Sequence, residues 1–390
     1  MPAEELSYVL VTPYSMRKSR TGGIISRLIS RTGLDLVSAR MFAPSDELVQ
    51  RYAATIVTEI ETRHRATQQL IREYVLRNFT GQVNGQRSRV MLLVFRGPDA
   101  VARVRDTAGH IVNERTSGET IRDTFGDYIT NPAGQVTYFE PAVLTAFDAA
   151  EVERDLQLWS EFSARDGGIL DEVITYPKGA NVEKTLVLIK PDNFKFPNAR
   201  PGGVIDVFSR SGLYIIGFKV HRMSVAQAEE FYRPVLEVLQ DKLREPTGKK
   251  ARAAVERELD MQLTDETEKQ LGELLGPING RENWEDIVAF MAGARPSACV
   301  PSQRSAPGSE KCIAIVYQGI DAVRKIRDVL GPTDPKKAPP GSIRKEFGQT
   351  IMINAAHASD SAENAKREMA IVQVDEDNFK PLIETFYKRR

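Results

Sequence analysis

Cysteine is nearly missing from this chain. Cys299 and Cys312 are the only two in 390 residues, too few for a disulfide framework or a four-ligand zinc site, and they fit a reducing, cytoplasmic setting. Histidine is almost as scarce, with 4. No sign of charge prevails: Lys plus Arg is 53 and Asp plus Glu is 53. That balance argues against a protein that holds nucleic acid through a basic field. No apolar run nears membrane-spanning length, so no membrane partner is expected. The opening Met1-Pro-Ala-Glu-Glu-Leu-Ser7 is acidic and runs straight into a strand-like segment, unlike a signal peptide. The chain does have 41% hydrophobic and 27% charged residues, as ordinary globular proteins do, over a length that suits two or three domains.

The chain also repeats itself, which organises the rest. Tyr8-Val-Leu-Val-Thr-Pro13 matches Leu186-Val-Leu-Ile-Lys-Pro191, and Gly22-Gly-Ile-Ile matches Gly202-Gly-Val-Ile. Tyr52 pairs with Tyr232. Leu92 to Asp106 matches Ala314 to Asp328, and Thr120-Ile-Arg-Asp-Thr-Phe125 matches Ser342-Ile-Arg-Lys-Glu-Phe347. Between Tyr232 and Gly319 the register slips, so the second copy carries an insertion of about 40 residues.

Each copy alternates short apolar runs of the buried-strand kind with helical spacing. Val187 to Ile189, Leu213 to Val220 and Cys312 to Tyr317 read as strands. Gly203 to Ser211 and Ala322 to Leu330 read as helices, and Ser224 caps a helix through Tyr232. The order implies an α+β class with antiparallel sheets covered by helices. The expected layout is a first domain over 1–162, a linker over 163–182, and a second domain over 183–390 with a helical insertion at about 240–283. Thr264 or Asp265 is expected to start a helix in the insertion, and Gly276-Pro277 to stop it. The insertion carries no catalytic pattern.

One of the rare histidines stands in Asn354-Ala-Ala-His357-Ala-Ser-Asp-Ser361, just ahead of a helix start. Ser359 or Asp360 is the expected cap, and Asp360 with Glu363 has capping-box spacing. The positive end of a helix favours anions, and an imidazole there can take up a phosphoryl group covalently. Lys190, Arg327 and Arg344 supply cations for phosphate oxygens, the arginines bidentately and the lysine as a point charge. Each residue also has a bland alternative: a surface His, a solvated strand end, surface ion pairs.

From Glu183 to about Tyr387, insertion apart, the second copy resembles a nucleoside diphosphate kinase. The resemblance rests on Lys190-Pro-Asp192, on Arg327 ahead of Gly331-Pro-Thr-Asp-Pro335, on Pro340-Gly-Ser-Ile-Arg344, and on the His357 segment with Glu368, all in order. It implies two tandem ferredoxin-like α/β sandwich domains. It also implies a ping-pong transfer of the γ-phosphoryl of a nucleoside triphosphate, ATP among them, to a nucleoside diphosphate through phospho-His357. By resemblance, Lys190, Tyr232, Arg327, Thr333 and Arg344 face the phosphates, and Asn354 faces ribose or phosphate. Glu368 and Ser359 orient the ring. Mg²⁺ would be held mainly by phosphate oxygens, with no dedicated protein ligands. Trp284 falls near the family's base-stacking aromatic, though a core Trp fits equally. Two departures stand out: Asn193 where glycine is usual, and Ile353 where many members carry arginine.

The first copy keeps the scaffold and loses the chemistry. Thr12 replaces the lysine and Ile111 stands for Thr333. Arg105 and Arg122 remain, but Asn131 to Leu144 holds no histidine. His110 is off-position and His64 is expected in a charged helix. The first copy therefore reads as a pseudo-domain, and the chain as a built-in pseudo-dimer that forms homo-oligomers. Two alternatives stand beside the kinase: a non-enzymatic nucleotide-binding scaffold, and a protein-histidine phosphotransfer module.

Overall fold

The computed structural model describes residues 4–57, 65–80, 82–83, 86–111, 118–171 and 173–388; His64 lies outside them. Among the described residues the chain divides into two compact units, Met1–Val220 with Ile313–Arg390, and His221–Cys312.

The larger unit holds the sheets of both copies. Apolar runs form strands that are buried almost end to end, as in Val90–Pro98 and Cys312–Ile320. In the first copy the sheet runs Asp35–Phe42, Val90–Pro98, Glu4–Val11, Val143–Leu144. In the second it runs Tyr214–His221, Cys312–Ile320, Val182–Ile189, Ala356–Ala358. Both read 2-3-1-4 within their copy, the order of a split βαβ ferredoxin-like sheet. The first strand of each copy lies antiparallel to both its neighbours. Helices cover the sheets because each carries one apolar stripe. In Ala322–Leu330, Val323, Ile326 and Leu330 are buried, while Arg327 on the other face is exposed.

The two copies meet where the helices Thr21–Thr32 and Arg200–Ser209 cross. A Cβ on Gly202 would lie 2.2 Å from the Gly22 carbonyl oxygen, and one on Gly22 would lie 2.5 Å from the Gly202 oxygen. Only glycine permits such an approach at both positions. Ser26 Oγ donates to the Ala199 oxygen at 2.9 Å beside the crossing. The expected linker binds both sheets: the Gly168 amide donates to Met41 and the Leu170 amide to Ile216, at 3.0 and 2.8 Å.

The smaller unit contains the helices Val225–Lys242, Arg244–Leu259 and Asp265–Ala292. Ser224 and Gln227 form a capping box on the first, and Thr264 caps the third. The expected stop at Gly276-Pro277 does not occur: the helix continues to Ala292 with Pro277 inside. Packing outweighs the lost backbone bond. Gly272, Gly276 and Gly280 recur every fourth residue, where added Cβ atoms would lie 2.5–2.7 Å from the backbone of Arg244 or Gln240.

Candidate functional site

The strand Ala356–Ala358 places His357. It is short because Ala355, at φ 70°, sits in the left-handed region, which costs a non-glycine residue about 1–2 kcal/mol. Two bonds hold that turn. The Lys190 amide donates to the Ala355 oxygen at 2.9 Å, and the Asn193 side-chain amide donates to the same oxygen at 2.8 Å. Asn193 also reaches the Lys190 oxygen at 3.0 Å and is fully buried. The residue that departs from the family pattern is thus the clamp of the turn. Its role was not legible in the sequence, because the reach of an amide depends on where the backbone goes.

His357 pairs with Leu188 across the sheet. Its Nε2 lies 2.8 Å from Glu368 Oε2, which also accepts from Ser359 Oγ at 2.7 Å. A carboxylate only accepts, so Nε2–H is the donor, and in the neutral ring the lone pair is then on Nδ1. Glu368 reaches the ring from the helix Ala362–Val372. The cap of that helix is Ser361, which accepts from the Asn364 amide at 3.1 Å; neither Ser359 nor Asp360 caps it. The hydroxyl of Ser359 is committed to Glu368, and Asp360 accepts from the Asn364 side chain at 2.6 Å.

Lys190 ends the neighbouring strand, 8% exposed. Its ammonium donates to Asn354 Oδ1 at 3.0 Å and to the Met352 oxygen. Burial pushes it down to about 8, against the pull of Asp192, and nearby Arg344 pushes the same way. Arg344 donates to the oxygens of Gly331 and Ala356, at 2.9 and 3.3 Å. Asn354 donates to the Thr333 oxygen at 3.2 Å. Arg327 stands near Asp360: the Asn364 side-chain amide, opposed by burial and aided by the Arg327 charge, holds the Asp360 carboxyl below its usual range. Lys190, Asn354 and Thr333 are therefore joined by direct hydrogen bonds, as are His357, Ser359 and Glu368, and Arg344 reaches the backbone of Ala356, next to His357. Tyr232 and Trp284 belong to the smaller unit, where both are buried and the Trp284 indole N–H donates to the Tyr232 oxygen at 2.9 Å. That is how an indole sits in a core.

The first copy repeats the frame without the nucleophile. Ala142, at φ 61°, matches the strained Ala355. Leu144 pairs with Leu10 as His357 does with Leu188, so leucine stands at the histidine's register. The interval of 11 from His357 to Glu368 leads from Leu144 to Asp155, whose carboxylate accepts from Tyr8 at 2.7 Å. Thr12, at the lysine's place, donates to Glu140 at 2.8 Å.

The family described as "Nucleoside diphosphate kinase" matches residues 5–134, 183–238 and 257–377. The gap at 239–256 falls in the helices of the smaller unit. The nucleoside diphosphate kinase of Wolinella succinogenes is 33% identical over 189 residues, 48% of this chain and 93% of the relative. That of Helicobacter pylori strain Shi470 is 31% identical over 188 residues, with the same coverage. A solved structure of the Aquifex aeolicus nucleoside diphosphate kinase is 26% identical, covers 51% of this chain and 98% of its own, and superposes with a TM-score of 0.31.

Proposed function

This chain belongs to the nucleoside diphosphate kinase family, and we propose that its second copy moves a γ-phosphoryl between nucleotides through His357. The observation that carries the proposal is the bond of 2.8 Å from Nε2 to Glu368, which leaves Nδ1 as the attacking atom. In the first half-reaction the Nδ1 lone pair forms a bond to the γ-phosphorus. The bond from that phosphorus to the β–γ bridging oxygen breaks, and the diphosphate leaves with the electron pair. Phosphorylation makes the ring cationic, and the Glu368 carboxylate neutralises it through Nε2–H. In the second half-reaction a terminal oxygen of an acceptor diphosphate attacks the phosphohistidine, and Nδ1 recovers its lone pair.

Lys190, Arg327 and Arg344 neutralise the polyphosphate, with Thr333 and Asn354 as neutral donors; charge neutralisation and placement are the main needs of phosphoryl transfer. Arg344 spends two N–H groups on carbonyls, which fixes the plane of its fork. Among the described residues no cluster of three or more His, Cys, Asp or Glu is arranged to hold a metal ion. The cationic and amide donors around Lys190 fit Mg²⁺ carried in on the nucleotide, where it supplies charge neutralisation when bound. ATP serves as donor. We place the protein in the cytoplasm, on its free cysteines; among the described residues no helix is long and apolar enough to cross a membrane. The tandem chain supplies a pseudo-dimer, and two or three chains assemble further; light scattering that finds only a monomer refutes this.

The decisive experiment uses γ-labelled ATP, followed by a chase with a different nucleoside diphosphate. Acid-labile label that is absent in His357→Ala and discharged by the chase is expected. Label that resists the chase would instead favour transfer to a protein partner, and no label a scaffold. Arg344→Ala should lower transfer sharply without changing the melting temperature by more than a few degrees, and unchanged turnover would remove Arg344 from the site.

A further inference from the structure

In the first copy the same frame encloses a cavity of about 680 Å³, within the range of small-molecule sites. Arg122, the counterpart of Arg344, lines it and is 7% exposed. Its guanidinium donates to the oxygens of Gly109 and Val143. Its Nε–H has no acceptor among the described residues, and none of their carboxylates pairs with it. The cavity's own carboxylates are engaged elsewhere. Asp106 lies 4.0 Å from Arg105. Asp155 accepts from Tyr8 and pairs with Arg154 at 3.3 Å. Glu151 accepts from the Phe147 amide at 2.9 Å. A buried cation without a counter-ion is costly, and burial alone accounts for its pKa being pushed down to about 10.

Part of the remaining wall has turned apolar, while Arg105, His110, Arg154 and four threonines also line it. Leu144 stands at the histidine's register, Ala146 lies two residues on, and Ile111 replaces a threonine; all three line the cavity. Arg105 donates to the Phe147 oxygen and Arg154 to the Thr55 oxygen, at 3.1 and 3.2 Å, so Arg122 is the cation left for one anion, and the apolar part of the wall gives room for an apolar body beside it.

We propose that the first copy is a ligand site without a nucleophile: its cavity takes a small molecule with an apolar body and a single phosphate or carboxylate head, the head seated on Arg122. The ligand is held and not turned over, because Leu144 offers no lone pair. This site is separate from the transfer chemistry of His357, so either can fail alone.

Isothermal titration of the full-length protein tests the proposal, with octyl phosphate as the phosphate probe and octanoate as the carboxylate probe. One of them should bind saturably. Ile111→Trp and Ala146→Phe fill the cavity from two sides, and each should weaken that binding by about tenfold or more, equivalent to roughly 1.4 kcal/mol. Circular dichroism melts certify the fold of each variant, and the phosphohistidine label is scored separately and should not change. Absence of saturable heat from both probes overturns the proposal. So does binding that survives in either folded variant, since the ligand must then sit elsewhere.

Discussion

Glu368 accepts from His357 and Ser359 through one oxygen, so its negative charge is fixed beside the ring before any nucleotide arrives. Glu368→Gln keeps the shape and removes the charge. It should slow phosphohistidine formation by roughly 10²-fold, the loss of a charge-assisted hydrogen bond of about 1.5–3 kcal/mol, with little change in nucleotide affinity; single-turnover kinetics separates the two. Lys190 makes a pH prediction. Its ammonium titrates near 8 when folded, below the ordinary 10.5. Between those values the unfolded chain binds more protons, so this residue's contribution to the free protein's stability rises with pH through that window. Nucleotide binding runs the other way, because the charge that grips phosphate is lost above about 8. KM should climb across that pH, and Lys190→Met should show a high KM with the step removed. The proposed site residues His357, Lys190 and Arg344 could be picked out in the sequence because the proposed chemistry needs particular side chains in order. Asn193 could not, since its value lies in two carbonyls brought to it by a turn.

Among the elements, the crossing of the helices Thr21–Thr32 and Arg200–Ser209 allows a sharp comparison. Gly202→Ala drives a methyl to 2.2 Å from a backbone oxygen, and Gly203→Ala meets only the ring edge of Phe347 at 3.3 Å. The first should destabilise by about 1–3 kcal/mol, the usual cost of overpacking, and the second by clearly less; thermal melts of the two variants decide. Element types were readable from apolar periodicity, as in Ala322–Leu330. Element ends were not. Gly276-Pro277 reads as a stop, yet glycines spaced four apart made that face a contact surface, and close packing carried the helix through. Likewise, the hydroxyl of Ser359 was drawn away from capping by a carboxylate 9 residues on, leaving the cap to Ser361.

For the whole molecule, the repeat in the sequence becomes two sheets of identical strand order, and motif matching reveals it because both copies kept the residues that turn the chain. The compact helical unit His221–Cys312 shows in the sequence only as the register slip after Tyr232, since its helices beyond Val225–Lys242 have no match in the first copy. A fragment of residues 181–390 loses the first copy and bares the Gly202 face. It should self-associate through that face, as read by light scattering, and a monomer with an unchanged melting temperature would contradict this. In the intact chain the two faces are tied by the segment 163–182. Covalent tethering holds partners at effective concentrations of about millimolar order, so the Gly22–Gly202 pairing cannot be lost by dilution, and this protein should keep its paired form at trace abundance in a cell where separate subunits would drift apart.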